Sequence, residues 1–171
     1  MKTIVIYSSK TGNTQKIAAA IAAVCPPDTK CVAIKDAPND LSNYDLAFIG
    51  YWVDKGTANA EARTYMEKIN AKNVAVFETL GAYPDSDHAK ESLKNGQALI
   101  KANVIGGFIS QGKVDPVLLK AMQKMFPAGH PHGDSPERRA RIAEAAKHPN
   151  EDDFVRAREF ARAMLAKAAK G

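Results

Sequence analysis

Five short apolar runs, interleaved with segments of helical spacing, constrain this chain more than any other feature. The runs are 3–7 (TIVIY), 30–34 (KCVAI), 46–51 (LAFIGY), 74–80 (VAVFETL) and 104–110 (VIGGFIS). They show little apolar–polar alternation, the pattern of strands buried on both faces. Between them, Ile17, Ala20, Ile21 and Val24 recur at helical spacing, as do Ala62, Tyr65, Met66 and Ile69, and a third helix is expected over about 87–101. Pro26-Pro27 is expected to stop the first helix. Strands alternating with helices predict an α/β fold: a parallel sheet covered on both faces. Right-handed crossovers narrow the topology to a doubly wound, three-layer sandwich.

The last third breaks this rhythm. Leu118, Met122, Met125 and Phe126 share one helical face, FPAGHPHGDSP interrupts, and Ser135-Pro136 restarts a helix that His148-Pro149 should end. Asn150 is expected to cap a final helix, with acids at 151–153 against its positive end and Phe154, Ala157, Ala161, Met164, Leu165 and Ala168 facing inward. A minimal sandwich needs only a short connection here. The expectation is therefore one domain over 1–171 with a helical insertion at about 113–149.

With 171 residues, 45% apolar and 25% charged, the composition is that of a globular domain. No apolar run approaches the ~20 residues of a membrane span. The segment MKTIVIYSSKTGNTQ lacks the features of a secretory signal, so a cytoplasmic protein is expected. The net charge of +5 favours acidic partners or anionic ligands, but no basic stretch interleaved with aromatics points to nucleic acid. Cys25 and Cys31 read as small buried hydrophobes. His130 and His132 have no acid or cysteine at ligand spacing, so no metal site is expected, and no G-x-S-x-G elbow marks a nucleophile.

The chemistry is concentrated in Ser9-Lys10-Thr11-Gly12-Asn13-Thr14, between the first strand and the first helix. Helix N-termini offer unpaired N–H groups and a positive dipole end, hydroxyls add donors, and a glycine lets an anion approach the backbone. The loop lacks the Lys-Ser/Thr ending of a nucleotide-triphosphate loop and the G-x-G-x-x-G of a dinucleotide site. It could equally be a well-capped helix start.

This S-x-T-G-N-T segment resembles the FMN phosphate loop of the flavodoxin-like family. The resemblance implies strand order 2-1-3-4-5 and FMN as cofactor, with ring-contacting loops after the third and fourth strands. Here those are Gly50-Tyr51-Trp52-Val53-Asp54-Lys55-Gly56 and Thr79-Leu80-Gly81-Ala82-Tyr83-Pro84-Asp85. Candidate cofactor-binding residues are then Ser9, Lys10, Thr11, Gly12, Asn13, Thr14, Tyr51, Trp52, Val53, Lys55, Gly56, Leu80, Gly81, Ala82 and Tyr83. Trp52 and Tyr83 are expected to frame the ring, Tyr51 to be structural or a second contact, and Gly56 or Gly81 to permit a peptide flip near the ring. Flavodoxins are typically acidic, whereas this chain is +5, with Lys10 and Lys55 in the two loops nearest the cofactor. A cation there would favour the anionic reduced flavin and give a less reducing potential. The segment 131–138 with His148-Pro149-Asn150 resembles the tail of a bacterial set of flavodoxin-like proteins, some of which accompany a dedicated reductase, including one for bilirubin.

The resemblance implies an electron-transfer protein, a monomer or weak dimer, passing electrons from a reductase to a partner redox enzyme. The alternative is a flavin-dependent reductase or oxidase acting directly on a quinone or tetrapyrrole, as flavodoxin-like protoporphyrinogen oxidases do. A binding module that has lost flavin is a third reading.

Overall fold

The computed structural model describes residues 1–127, 129–130 and 133–170. The His132 half of the metal reading, with Pro131, lies outside them. The elements are β1 (Thr3–Tyr7), α1 (Asn13–Ala22), β2 (Lys30–Ala33), a 3-10 turn (Ile34–Asp36), β3 (Leu46–Asp54), β4 (Thr57–Ala58), α2 (Ala60–Met66), β5 (Asn73–Leu80), α3 (Asp87–Gln97), β6 (Asn103–Gln111), α4 (Pro116–Met125), α5 (Pro136–Ala145) and α6 (Glu151–Ala168).

The main sheet runs β2-β1-β3-β5-β6, all neighbours parallel, and β4 pairs antiparallel with the end of β3. With that two-residue strand set aside, this is the expected order 2-1-3-4-5. Register places Val5 opposite Phe48 and Phe48 opposite Ala75, so one row of side chains crosses the sheet. Because successive side chains alternate faces, each strand feeds two cores. Val5, Leu46, Phe48, Ala75 and Phe77 pack under α1 and α6. Ile4, Ile6, Ala47, Ile49, Tyr51, Val74 and Val76 pack under α2 and the residues flanking it. Alanines at 18, 157 and 161 are fully buried where α1 and α6 meet. Phe160 stacks on Phe108 at 5.5 Å and meets Phe48 edge-on at 6.1 Å. Deleting a ring such as Phe77, with no exposed surface, costs about 3–5 kcal/mol in a core of this kind.

Three elements depart from the expectation. The third strand continues to Asp54 and turns through Lys55 (φ 51°) and Gly56 (φ 75°) into β4. Two consecutive positive φ values make a type I′ hairpin, which places glycine at its second position. The segment expected to be a ring-contacting loop is thus largely strand. Helix α3 ends at Gln97 rather than near 101, since Ala98 and Leu99 already belong to its closing turn. Both cysteines are free thiols: Cys25, after α1, is half-buried against the core, whereas Cys31 is exposed, so the expectation of a buried hydrophobe fails for the residue on the edge strand β2, whose outer side faces water.

Between β6 and α6 the chain forms α4 and α5. Helix α4 buries none of its residues and α5 buries only Ala145, whereas α1 buries five.

Candidate functional site

A cavity of about 100 Å³ opens at the carboxyl ends of β1, β3 and β5. This is where a doubly wound sheet places its ligand, because strand order reverses there and the crossover loops diverge. Of the expected residues, Ser9, Lys10, Thr11, Asn13, Thr14, Trp52, Leu80 and Gly81 line it together. Gly12 is the residue before α1 (φ 95°), in a left-handed conformation that glycine adopts at little cost, and nothing lies within 4 Å of where its Cβ would be.

The interior of the loop is already committed. Gly12 N–H donates to Ser9 Oγ at 3.1 Å, Asn13 Nδ2 donates to the Lys113 carbonyl at 2.9 Å, and the Thr14 and Thr79 hydroxyls share a buried hydrogen bond at 2.8 Å. Lys10 Nζ lies 5.6 Å from the centre of the Trp52 ring and 3.5 Å from Asp115 Oδ2. No side chain caps α1. Its first two residues, Asn13 and Thr14, line the cavity, which therefore lies at the uncapped, positive end of the helix dipole.

Period two along β3 separates residues that sequence reading kept together. Trp52 falls on the α1 face and reaches the cavity. Tyr51 falls on the opposite face with no exposed surface, its hydroxyl donating to Glu78 Oε2 at 2.7 Å, and Gly96 leaves room for it where a Cβ would sit 2.0 Å from the phenol oxygen. Tyr51 is thus a core residue. Val53 packs on the same core, and Lys55 is exposed at the hairpin tip, away from the cavity. Glu78 also accepts from Ser92 Oγ at 2.7 Å; burial raises its pKa to about 7, against the pull of the Ser92 and Tyr51 hydrogen bonds. The Tyr51 hydroxyl is pushed up by burial and then by Glu78. Ala82 and Tyr83 do not line the cavity. Tyr83 is 40% exposed and faces a second cleft of about 400 Å³ with His88, Met122, Arg138 and Arg141.

Thr79, placed in the second expected loop but not among the candidate residues, lines the cavity, as do the stretch Gly112–Asp115 and Leu118, which sequence reading missed. Val114 packs against Gly81, where a Cβ would meet Val114 Cγ2 at 2.4 Å. Lys113 N–H donates to the His148 carbonyl at 2.9 Å while its own carbonyl accepts from Asn13. The start of the insertion is thereby strapped across the loop. Thr79 carries a weak signal, alternation with Glu78; the strap carries none, since its proximity to α1 arises only in the folded chain.

The chain matches the family model described as Flavodoxin domain over residues 4–162. It is 31% identical over 173 residues to the flavodoxin-like domain-containing protein BilS of Clostridioides difficile (strain CD3), covering 98% of each chain. Among solved structures, oxidised Flavodoxin 2 from Bacillus cereus superposes with a TM-score of 0.56 at 18% identity, over 98% of this chain and 99% of that one. A flavoprotein in complex with FMN from Lactobacillus acidophilus NCFM gives a TM-score of 0.51 at 22% identity, over 63% of this chain and 92% of that one. Both likenesses are of fold.

Proposed function

Because the chain belongs to the flavodoxin family, we propose that it binds FMN at the cavity and carries electrons from a reductase to a partner redox enzyme. The observation that supports this reading most is the uncapped start of α1, opening onto a cavity that Trp52 walls with a flat apolar ring. FMN supplies one- and two-electron chemistry when bound; the protein's part is to hold it and set its electrostatic surroundings. The residues fit such a group. The first-turn N–H groups of α1 and the Thr11 hydroxyl can take a phosphate, while Ser9, Asn13 and Thr14 fix the loop from within. Trp52 can take an aromatic face. No acid–base residue is required. Lys55 lies away from the cavity and the Lys10 charge is offset by Asp115, so the less reducing potential expected from these two lysines rests on Lys10 alone and on how far its pair stays closed.

The partner surface is proposed to be acidic. Helix α4 exposes Val117, Leu118 and Met125 and carries Lys120 and Lys124 with no acidic residue. Among the described residues no helix is long and apolar enough to cross a membrane, and a cytoplasmic site of action is proposed.

A visible spectrum after incubation with FMN and removal of excess tests the first step: bound flavin bands are expected, and a colourless protein would overturn the reading. Direct action on a quinone or tetrapyrrole is the second reading. The cleft beside Tyr83 favours it, having small-molecule volume and two arginines, Arg138 and Arg141, with no ion-pair partner among the described residues. Turnover of such a substrate by the purified protein alone, without a partner, would establish it over the carrier.

A further inference from the structure

In the proposed site, what is missing from the loop itself is a cation. Lys10 is the loop's only charged residue, and Asp115 and the Trp52 ring hold it. A phosphate taken there would meet backbone N–H groups and a hydroxyl but no net positive side chain from the loop. The unpaired cation that lines the cavity comes from elsewhere, from Lys113 at the head of the insertion. Its side chain makes no ion pair among the described residues.

Its backbone, by contrast, is pinned. The carbonyl accepts from Asn13, the first residue of α1, and the N–H donates to His148 at the α5–α6 joint. Gly112, one residue earlier, lies so close to Asn13 that a Cβ would sit 2.6 Å from Nδ2. A long side chain leaving a pinned backbone beside the open end of a helix can reach an anion held there, and little of its ordering cost falls on the main chain. Lys16, one turn into α1, lies with Lys113 along the adjoining groove and extends the positive field outward.

We propose that Lys113 is the counter-charge for the cofactor's phosphate, so that the insertion is part of the cofactor site and sets its preference for FMN over the unphosphorylated flavin. This rests on the FMN reading above and assigns within it a residue outside the S-x-T-G-N-T loop.

The test is the pair of dissociation constants for FMN and riboflavin, from quenching of flavin fluorescence, in the unaltered protein, K113Q and K113R. One charge-assisted contact predicts that K113Q weakens FMN by about tenfold and leaves riboflavin within about twofold, while K113R retains the preference. The fall of FMN affinity with rising salt should also be shallower in K113Q. Equal weakening of both flavins would show that Lys113 only packs the strap, and no change in either would show that it faces solvent; each overturns the proposal while leaving the FMN reading intact. If the unaltered protein binds neither flavin, the FMN reading falls and this inference falls with it.

Discussion

Helices α1 and α6 lie side by side on one face of the sheet, yet their N-termini are finished in opposite ways. At α6, Asn150 Oδ1 accepts from the N–H groups of Asp152 and Asp153, and Asp153 Oδ2 accepts from the Asn150 N–H at 2.9 Å, a reciprocal capping box. The Asp153 carboxylate is wholly buried and also meets His148 and Arg156. The protein thus supplies its own anion there. At α1, the preceding residue is a glycine with no side chain to offer and no cap is made. Capping typically stabilises a helix by about 1 kcal/mol, so an uncapped first helix gives up stability that an added anion can restore. Helix α2 also starts without a side-chain cap, so what sets α1 apart from α6 in the proposed reading is an open terminus whose first residues line the cavity, and not the helix dipole common to all of them.

Removing the internal anion should have the largest effect. Asp153→Ala takes the buried carboxylate from Arg156, leaves His148 only Glu144 and opens the capping box, and about 3 kcal/mol of stability should be lost in urea unfolding. A loss below 1 kcal/mol would mean that the cluster merely decorates the helix start. The converse change puts an anion at α1. Thr11→Asp should weaken FMN by about 100-fold through like-charge repulsion while leaving the unfolding midpoint nearly unchanged. FMN binding that survives intact would mean the phosphate lies elsewhere. A milder version of the first break is Asn150→Ala, expected to cost about 1 kcal/mol in the same unfolding assay with no effect on flavin affinity.

The smallest effect concerns proton binding. Burial disfavours the His148 imidazolium, but its hydrogen bonds to Asp153 and Glu144 and their charges outweigh this and hold its pKa above the ordinary 6.5. The native state then binds this proton more tightly than the unfolded chain. The resulting stability is complete below about 6.5 and fades as pH rises through the native value. Relative to His148→Gln, the unaltered protein should lose stability across that window; parallel curves would show that the charged ring contributes nothing.

Much of the fold could be read from short-range pattern. Apolar runs of strand length and the 3.6 period of α1 and α6 reflect burial, which each segment meets locally, and the Asn150 and Ser135 caps follow from hydrogen bonds that close within three residues. The loop before α1 was legible for the same reason. The aromatic segment was not. Tyr51 and Trp52 are adjacent in sequence but lie on opposite faces of β3, and the Lys55-Gly56 hairpin converts an expected loop into strand. Tyr83, grouped with Trp52 by its loop, turns toward the insertion.

By itself the sequence determined the layers, the strand order through the family resemblance, and the hydroxyl-rich turn ahead of the first helix. These follow from periodicity and from residue types that act on their own neighbours. Only the tertiary structure decided that Asp115 neutralises Lys10, that Val114 closes on Gly81, and that Lys113 stands at the open end of α1. Asn13 and the Lys113 carbonyl are 100 residues apart, and their hydrogen bond requires β6 to lie in the sheet and carry the chain back over the first loop. A contact of that separation depends on loop closure and packing across the whole sheet, which no local pattern encodes.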